Sequence, residues 1–285
     1  MALQDAAQIV MRDMVEADIH AVADLCFEQQ WPHREQDLEM LLSIGTGLVA
    51  EVDGTIGGTI MSWRFGDSVA MLGVVIVAVA QQGRGLGRKL ASAMIERLDG
   101  VTVILNATEV GRPLYGKLGF TELSTVCQHH AIAPAQPLVE LRQGERVRPM
   151  GAADAHVLKE MYSSSMGMDR AALLETLFAE SSTVVLCHEH QQTGFAMKRR
   201  FGRGWVIGPV VAPDAAGARA LIAHWIGTLT GSFCRIDVPE ATGLGPWLQE
   251  VGLPEADRVT RMALGPAPVP DREVTLFGLA AQALG

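Results

Sequence analysis

Six residues between an apolar run and an amphipathic stretch, Gln82-Gly83-Arg84-Gly85-Leu86-Gly87, have the composition of an anion-binding turn. Glycines carry no side chain to hold a ligand off the backbone, so successive N–H groups can converge on an anion. A helix that starts at once adds its own unpaired donors and the positive end of its dipole. The residues before the turn, Val69 to Val77, read as a strand, and those after it, Arg88 to Leu98, repeat at helical spacing. That context suits a pyrophosphate. A tight strand-to-helix turn with no ligand is the plain alternative. No GK[ST] follows the glycines and their spacing is not GxGxxG, so neither a P-loop nor a dinucleotide fingerprint is present.

Further along, Leu105-Asn106-Ala107 ends a β-branched run that starts at Val101, and Leu114-Tyr115-Gly116-Lys117-Leu118-Gly119-Phe120 joins a short helix to a last strand through a glycine C-cap. Strand, Gln82-x-x-Gly85-x-Gly87, helix, strand and LY-x-x-LGF in this order resemble the GCN5-related N-acetyltransferases, the GNAT superfamily. The motifs cover about residues 8–125. A fainter likeness over 146–265 resembles the degenerate second domain of tandem bacterial members. One departure is Val79, where many members have proline.

The resemblance implies an α/β (α+β) fold: two tandem GNAT-like domains, each a mixed, largely antiparallel sheet flanked by helices, with strands four and five splayed apart. It implies acetyl-CoA as co-substrate, its pantetheine arm lying in that gap beside Ile76 and Val77, where an N–H would polarise the thioester carbonyl. Gln82, Gly83, Arg84, Gly85, Leu86, Gly87 and Arg88 would form the pyrophosphate element, and Asn106 would bond the pantetheine amides. Tyr115 would be the general acid that protonates the departing thiolate; a core tyrosine is the alternative. The base is open among Glu51, Asp67, Glu109 and a chain of waters.

The elements that must position these residues occur twice. Strands at Ile9 to Met14, Gly47 to Val52, Thr55 to Trp63 and Val69 to Val77, with helices at 16–29 and 35–43, match strands at Arg146 to Pro149, Thr183 to His188, Gly194 to Lys198 and Trp205 to Val211, with helices at 154–163 and 170–180. A helix at Ala215 to Leu229 and a strand at Phe233 to Val238 complete the second set. Val77-Ala78-Val79-Ala80 corresponds to Val211-Ala212-Pro213-Asp214, and Gly116 to Phe120 corresponds to Gln249 to Leu253. A period this long means tandem domains and not a solenoid. We read a catalytic domain over 1–133, a linker or crossing strand over 134–145, and a degenerate domain over 146–285. At the same offset Ala216, Arg219 and Leu221 replace Gln82, Gly85 and Gly87, and Leu248 stands opposite Tyr115, so one active site is expected, in the first half.

Composition narrows the rest. The chain has 285 residues, 48% of them hydrophobic and 19% charged, enough for about two cores. Its longest uncharged apolar run, Val69 to Ala80, is too short for the roughly 20 residues of a membrane helix. Without a basic, apolar N-terminal segment it reads as cytoplasmic. Four scattered cysteines and eight histidines form no metal-ligand spacing, so no metal is expected. A net charge of -9 argues against nucleic acid. Ten carboxylates between Asp13 and Asp53 face one cation, Arg34. A carboxylate-rich wall beside the acceptor would favour a small cationic amine. A homodimer is left open. In the second half, Lys198-Arg199-Arg200-x-x-Arg203 reads as a solvated turn, or as a contact to the acidic first half or a coenzyme phosphate. Asp237, Glu240, Trp205 and Trp247 are candidates for an inter-domain cleft. The competing reading is a non-catalytic acyl-CoA-binding or interaction protein.

Overall fold

The computed structural model describes residues 8–271 and 273–285. In the first half, alternating and β-branched runs form β1 (Ile9–Asp13), β2 (Thr46–Val52), β3 (Thr55–Phe65), β4 (Val69–Val77), β5 (Thr102–Ala107) and β6 (Thr121–Ile132). The helices are α1 (Ile19–Glu28), α2 (Glu35–Ser43), α3 (Leu86–Arg97) and α4 (Arg112–Lys117). The second half repeats the series with β7 (Glu145–Pro149), α5 (Ala155–Met166), α6 (Ala171–Glu180), β8 (Ser181–His188), β9 (Gln191–Phe201), β10 (Gly204–Ala212), α7 (Ala215–Thr228) and β11 (Phe233–Pro239). It ends with α8 (Gly245–Glu250), β12 (Glu255–Leu264) and β13 (Thr275–Gly278).

The repeat extends to individual contacts. Arg12 grips Asp18 at 2.7 Å while the Val15 amide donates to the same carboxylate. In the second half Arg148 grips Asp154 at 2.6 Å and the Gly151 amide donates to it. Each carboxylate is thereby held below the ordinary aspartate range, its arginine being the largest cause. Gly119 and Gly252, at φ of 92° and 91°, end α4 and α8 with the same left-handed residue.

Both halves share one sheet, in the order β1-β2-β3-β4-β5-β12-β6-β11-β10-β9-β8-β7, with β13 pairing β10. The last long strand of each half is exchanged. β6 pairs β11 from Val126–Pro239 to Ile132–Phe233, and β12 runs antiparallel to β5 on one edge and to β6 on the other. Periodicity places a last strand of the first half from Phe120 but does not mark β12 or β13. The β6–β11 and β12–β5 pairings are contacts between distant segments, which local periodicity does not encode. The crossing between halves runs through β6, and residues 133–144 carry no helix or strand.

One face of the sheet is covered by α1, α2, α5 and α6 over a core that both halves build, from Val22, Leu38, Met61 and Met71 to Leu158, Phe195, Leu279 and Leu284. On the other face α3 seats Leu86, Leu90, Ala91 and Met94 against Leu48, Ile60, Leu72 and Leu105. The β9–β10 turn is clasped to α2. The Gly202 amide donates to Asp37 Oδ2 at 2.9 Å, and Arg34 Nη2 donates to the Arg200 carbonyl at 3.2 Å. Gly202 has φ of 54°, and a Cβ there would lie 2.6 Å from the Pro32 carbonyl oxygen. Gly202→Ala therefore combines left-handed strain with a backbone clash and is expected to lower stability by about 1–3 kcal/mol, read as a lower urea midpoint with an unchanged slope.

Candidate active site

Strands β4 and β5 are parallel neighbours only from Val69–Thr102 to Leu72–Leu105. Beyond Leu72 they part, and β4 shifts its register against β3 between Thr59 and Met61. Val74, at the shift, has φ of 51°, a conformation that a β-branched residue adopts only under constraint. This is the splay that the resemblance implied. Ile76 lies in the gap's far portion with its side chain buried in the core, so only its main chain is available there; Val77 is half-buried. The Val77 carbonyl already accepts from Gln82 Nε2 at 3.3 Å and Gln29 Nε2 at 3.5 Å. Gln82 thus braces the strand end with its side chain.

The glycine turn is open. Gly83 and Gly85 have φ of 74° and 76°, and a Cβ on either would meet nothing within 4 Å. Among the described residues, the amides of Gly83 to Arg88 have no backbone acceptor; the first amide of the helix to find one is Lys89, on the Gly85 carbonyl at 3.1 Å. Arg84 is exposed and donates to Gln81 at 2.5 Å, and Arg88 is exposed at the helix start. The Leu86 side chain is buried in the core, so this position has only its amide to offer.

The second half closes the equivalent place. Asp214 caps α7 by accepting from the Gly217 amide at 2.9 Å, and Arg142 pairs with the same carboxylate at 2.7 Å. A carboxylate of the chain itself occupies the end of this helix dipole. Leu248, opposite Tyr115, is fully buried.

Tyr115 sits on α4, edge-on to Phe120 with ring centroids 5.7 Å apart, and burial holds its phenol above the ordinary tyrosine range. Asn106 ends β5 at the mouth of the gap. Its Nδ2 donates to the Gln282 carbonyl at 2.6 Å, while its Oδ1 is buried without a partner.

At that mouth, on the α1 side of the sheet, lies a cleft of about 420 Å³. Gly73, Val74, Asn106 and Thr108 form its inner end. Trp31 and His33 from the first half face Phe201, Arg203, Phe233 and Arg235 from the second. Behind this wall Arg235 donates to both oxygens of Asp237 at 3.0–3.1 Å, and Gln282 Nε2 adds a bond to the same carboxylate at 3.2 Å. Asp237 thus supports the cleft. Trp205 and Trp247 do not line it; they stack under Lys198, Arg200 and Arg219. Nor does Glu240.

The acidic stretch does not form this cleft's wall. None of its ten carboxylates lines it. Asp18 and Glu51 are tied to Arg12, Asp37 to Arg34 and Gly202, Asp13 to Arg97, and Glu28 accepts from the Val79 amide. Local ion pairing has used charges whose sequence density pointed to a substrate. Of the candidate bases, Glu51 is held by Arg12, while Asp67 and Glu109 are exposed outside the cleft. The basic cluster divides: Arg199 is buried against the Ala280 carbonyl, Lys198 and Arg200 lie over tryptophans, and Arg203 reaches the cleft. His33 and Gln282 carried no local signal, because their roles depend on contacts between distant segments.

Comparison with known proteins points the same way. Family models described as acetyltransferase (GNAT) domains match residues 43–122 and 158–278. An uncharacterised N-acetyltransferase of Bacillus subtilis, YitH, is 29% identical over 276 residues, covering 95% of this chain and 96% of its own. A putative acetyltransferase from Pyrococcus horikoshii has a TM-score of 0.81 at 20% identity, over 100% of this chain and 98% of that one. A tandem GNAT protein from the clavulanic acid biosynthesis pathway has a TM-score of 0.64 at 13% identity, over 91% and 100%.

His33 makes the cleft sensitive to acid. Its Nδ1 is buried without a partner, and burial pushes the imidazole down to about 4, with Arg235 and Arg199 adding to the shift and Asp37 opposing it. Between the unfolded value, about 6.5, and 4 the unfolded chain binds a proton that the folded chain refuses, so stability is complete above that window and falls as pH drops through it. Between pH 7 and pH 5 the urea midpoint of the protein should fall, by an amount equivalent to about 1–2 kcal/mol from this residue. His33→Asn should flatten that dependence. Parallel pH profiles for the two proteins would show that His33 is not the group responsible.

Proposed function

The chain belongs to the GNAT acetyltransferase family, with one such domain in each half, and on that footing we propose that its N-terminal half transfers an acetyl group from acetyl-CoA to a small primary amine by direct attack. The observation that carries this reading is the asymmetry of the two helix starts. The amides of Gly83 to Arg88 stand open, whereas α7 is closed by Asp214. No helix among the described residues is long and apolar enough to cross a membrane.

The residues present fit the coenzyme: open donors at α3 suit a diphosphate, and the parted strands leave room for an extended arm. Bound there, acetyl-CoA would supply an acyl group activated as a thioester. The amides of Gly83 to Arg88, aided by the exposed Arg84 and Arg88, would hold the diphosphate at the dipole's positive end. Asn106 Oδ1, buried and unpartnered, would accept from an amide N–H of the arm. The strained turn at Val74 keeps β4 from closing on β5, so main-chain donors of its last residues can orient a carbonyl. Tyr115 Oη, held in its protonated form by burial, would give its proton to the departing sulfur.

Calorimetric titration with acetyl-CoA is expected to show one equivalent per chain; two equivalents, or none, would overturn the reading. Tyr115→Phe should lower kcat by about 10²-fold or more, the usual scale of general-acid catalysis, with acetyl-CoA affinity unchanged. Gly85→Val, which forces a β-branched residue into a left-handed position and crowds the anion, should weaken acetyl-CoA binding at least about tenfold while leaving the fold intact by circular dichroism.

A further inference from the structure

Resting on that reading, we propose that the cleft between the halves recognises its amine acceptor by an anionic group, a carboxylate or a phosphate, held by Arg203 and Arg235, with the amine directed to the gap beside Gly73 and Val74. The residues run in that order along the cleft. Gly73, Val74 and Asn106 stand at the end where β4 and β5 part, and the two arginines come from β11 and the β9–β10 turn of the second half.

The charge at this second end is cationic in its reachable groups. Asp237 is fully buried behind Arg235 and accepts from both Arg235 and Gln282, so it offers no free face to a ligand. Arg235 is fixed by that pair with its side chain 12% exposed, which presets its geometry. Arg203 is exposed and has no carboxylate within salt-bridge distance among the described residues. One carboxylate lines the wall, Asp257, exposed on β12 and accepting from the Arg258 amide at 2.8 Å, and the two guanidiniums outnumber it. His130, also in the wall, senses the balance: after burial, the charges of Arg235 and Arg203 depress it more than those of Asp237 and Asp257 raise it. A bare diamine would bring a second cation to two guanidiniums. An amine that carries an anion would place opposite charge there, in a cleft whose walls, Trp31, Phe201 and Phe233, limit screening by water. The degenerate half thereby gains a role, as the acceptor-binding wall of the other half's site.

The test compares matched acceptors: an amino acid, its decarboxylated amine, and an aminoalkyl phosphate of similar length. With the unaltered protein, kcat/KM for at least one anionic member should exceed that for the decarboxylated amine by tenfold or more, and which one leads identifies the anion. Arg203→Gln should cut that ratio at least tenfold, mainly through KM, and Arg203→Lys should restore part of it. Independently of turnover, calorimetry without coenzyme should show an N-acetylated amino acid, or its phosphate counterpart, binding more tightly than the N-acetylated amine, with the difference lost in Arg203→Gln. Equal or better use of the decarboxylated amine, or a ratio unmoved by Arg203→Gln, would overturn the proposal. Uptake of acetyl-CoA without any preference for anionic acceptors would sink this inference alone, whereas no uptake at all would remove the reading beneath it.

Discussion

The exchange of β6 and β12 is the constraint on which the rest of the molecule depends. Each strand pairs with the fifth strand of the opposite half, and the two pair with each other between, so the backbone ladder runs unbroken through the place where a domain boundary would lie. The arrangement fixes the relative position of the halves by hydrogen bonds between main-chain groups, which cannot be left unpaired inside a core without a cost of about 1–3 kcal/mol each. The cleft at the mouth of the β4–β5 gap exists because β11, β12 and the β9–β10 turn are brought beside β5 in this way.

On that frame the two halves have diverged where ligands would bind and have kept what holds the fold. The Arg–Asp pairs that tie β1 and β7 to the turns that follow them, and the glycines after α4 and α8, are the same in both. The helix starts are not. Replacing an open glycine turn by an aspartate cap turns an anion site into a satisfied terminus, and the α7 helix, lined by Ala218, Leu221, Ile222 and Ile226, is packed into its core as a structural element. The half whose helix start is capped contributes Arg203, Arg235 and Gln282 to the lining of the cleft between the two.

Much of this was legible in the sequence because it is local. The glycine turn, the β-branched runs and the Gly119 cap are set by residues within a few positions of one another, and their elements lie within two or three residues of where periodicity places them. The repeat was legible for the same reason. The strand exchange was not, since the pairing of β12 with β5 depends on register between residues more than 150 positions apart. The acidic stretch misled because composition records charge and not its partners: Asp37 pairs with Arg34 and Asp18 with Arg12 close by in the chain, while Glu51 reaches Arg12 only across the β1–β2 pairing. Within the basic cluster the spacing was visible, but not that a turn at Gly202 would bury Arg199 and send Arg203 into the cleft.

The pseudo-twofold relation through β6 and β12 has a consequence for ancestry. A single ancestral half would have had no opposite copy to lend it the strand between its fifth and sixth, and would have found one by associating with an identical chain. Joining the two in one chain would make permanent a partnership that mass action would otherwise govern, so that a change at one helix start, such as the Asp214 cap, does not dissolve the pair. In that sense the tandem chain is a homodimer whose stoichiometry is written into a single reading frame.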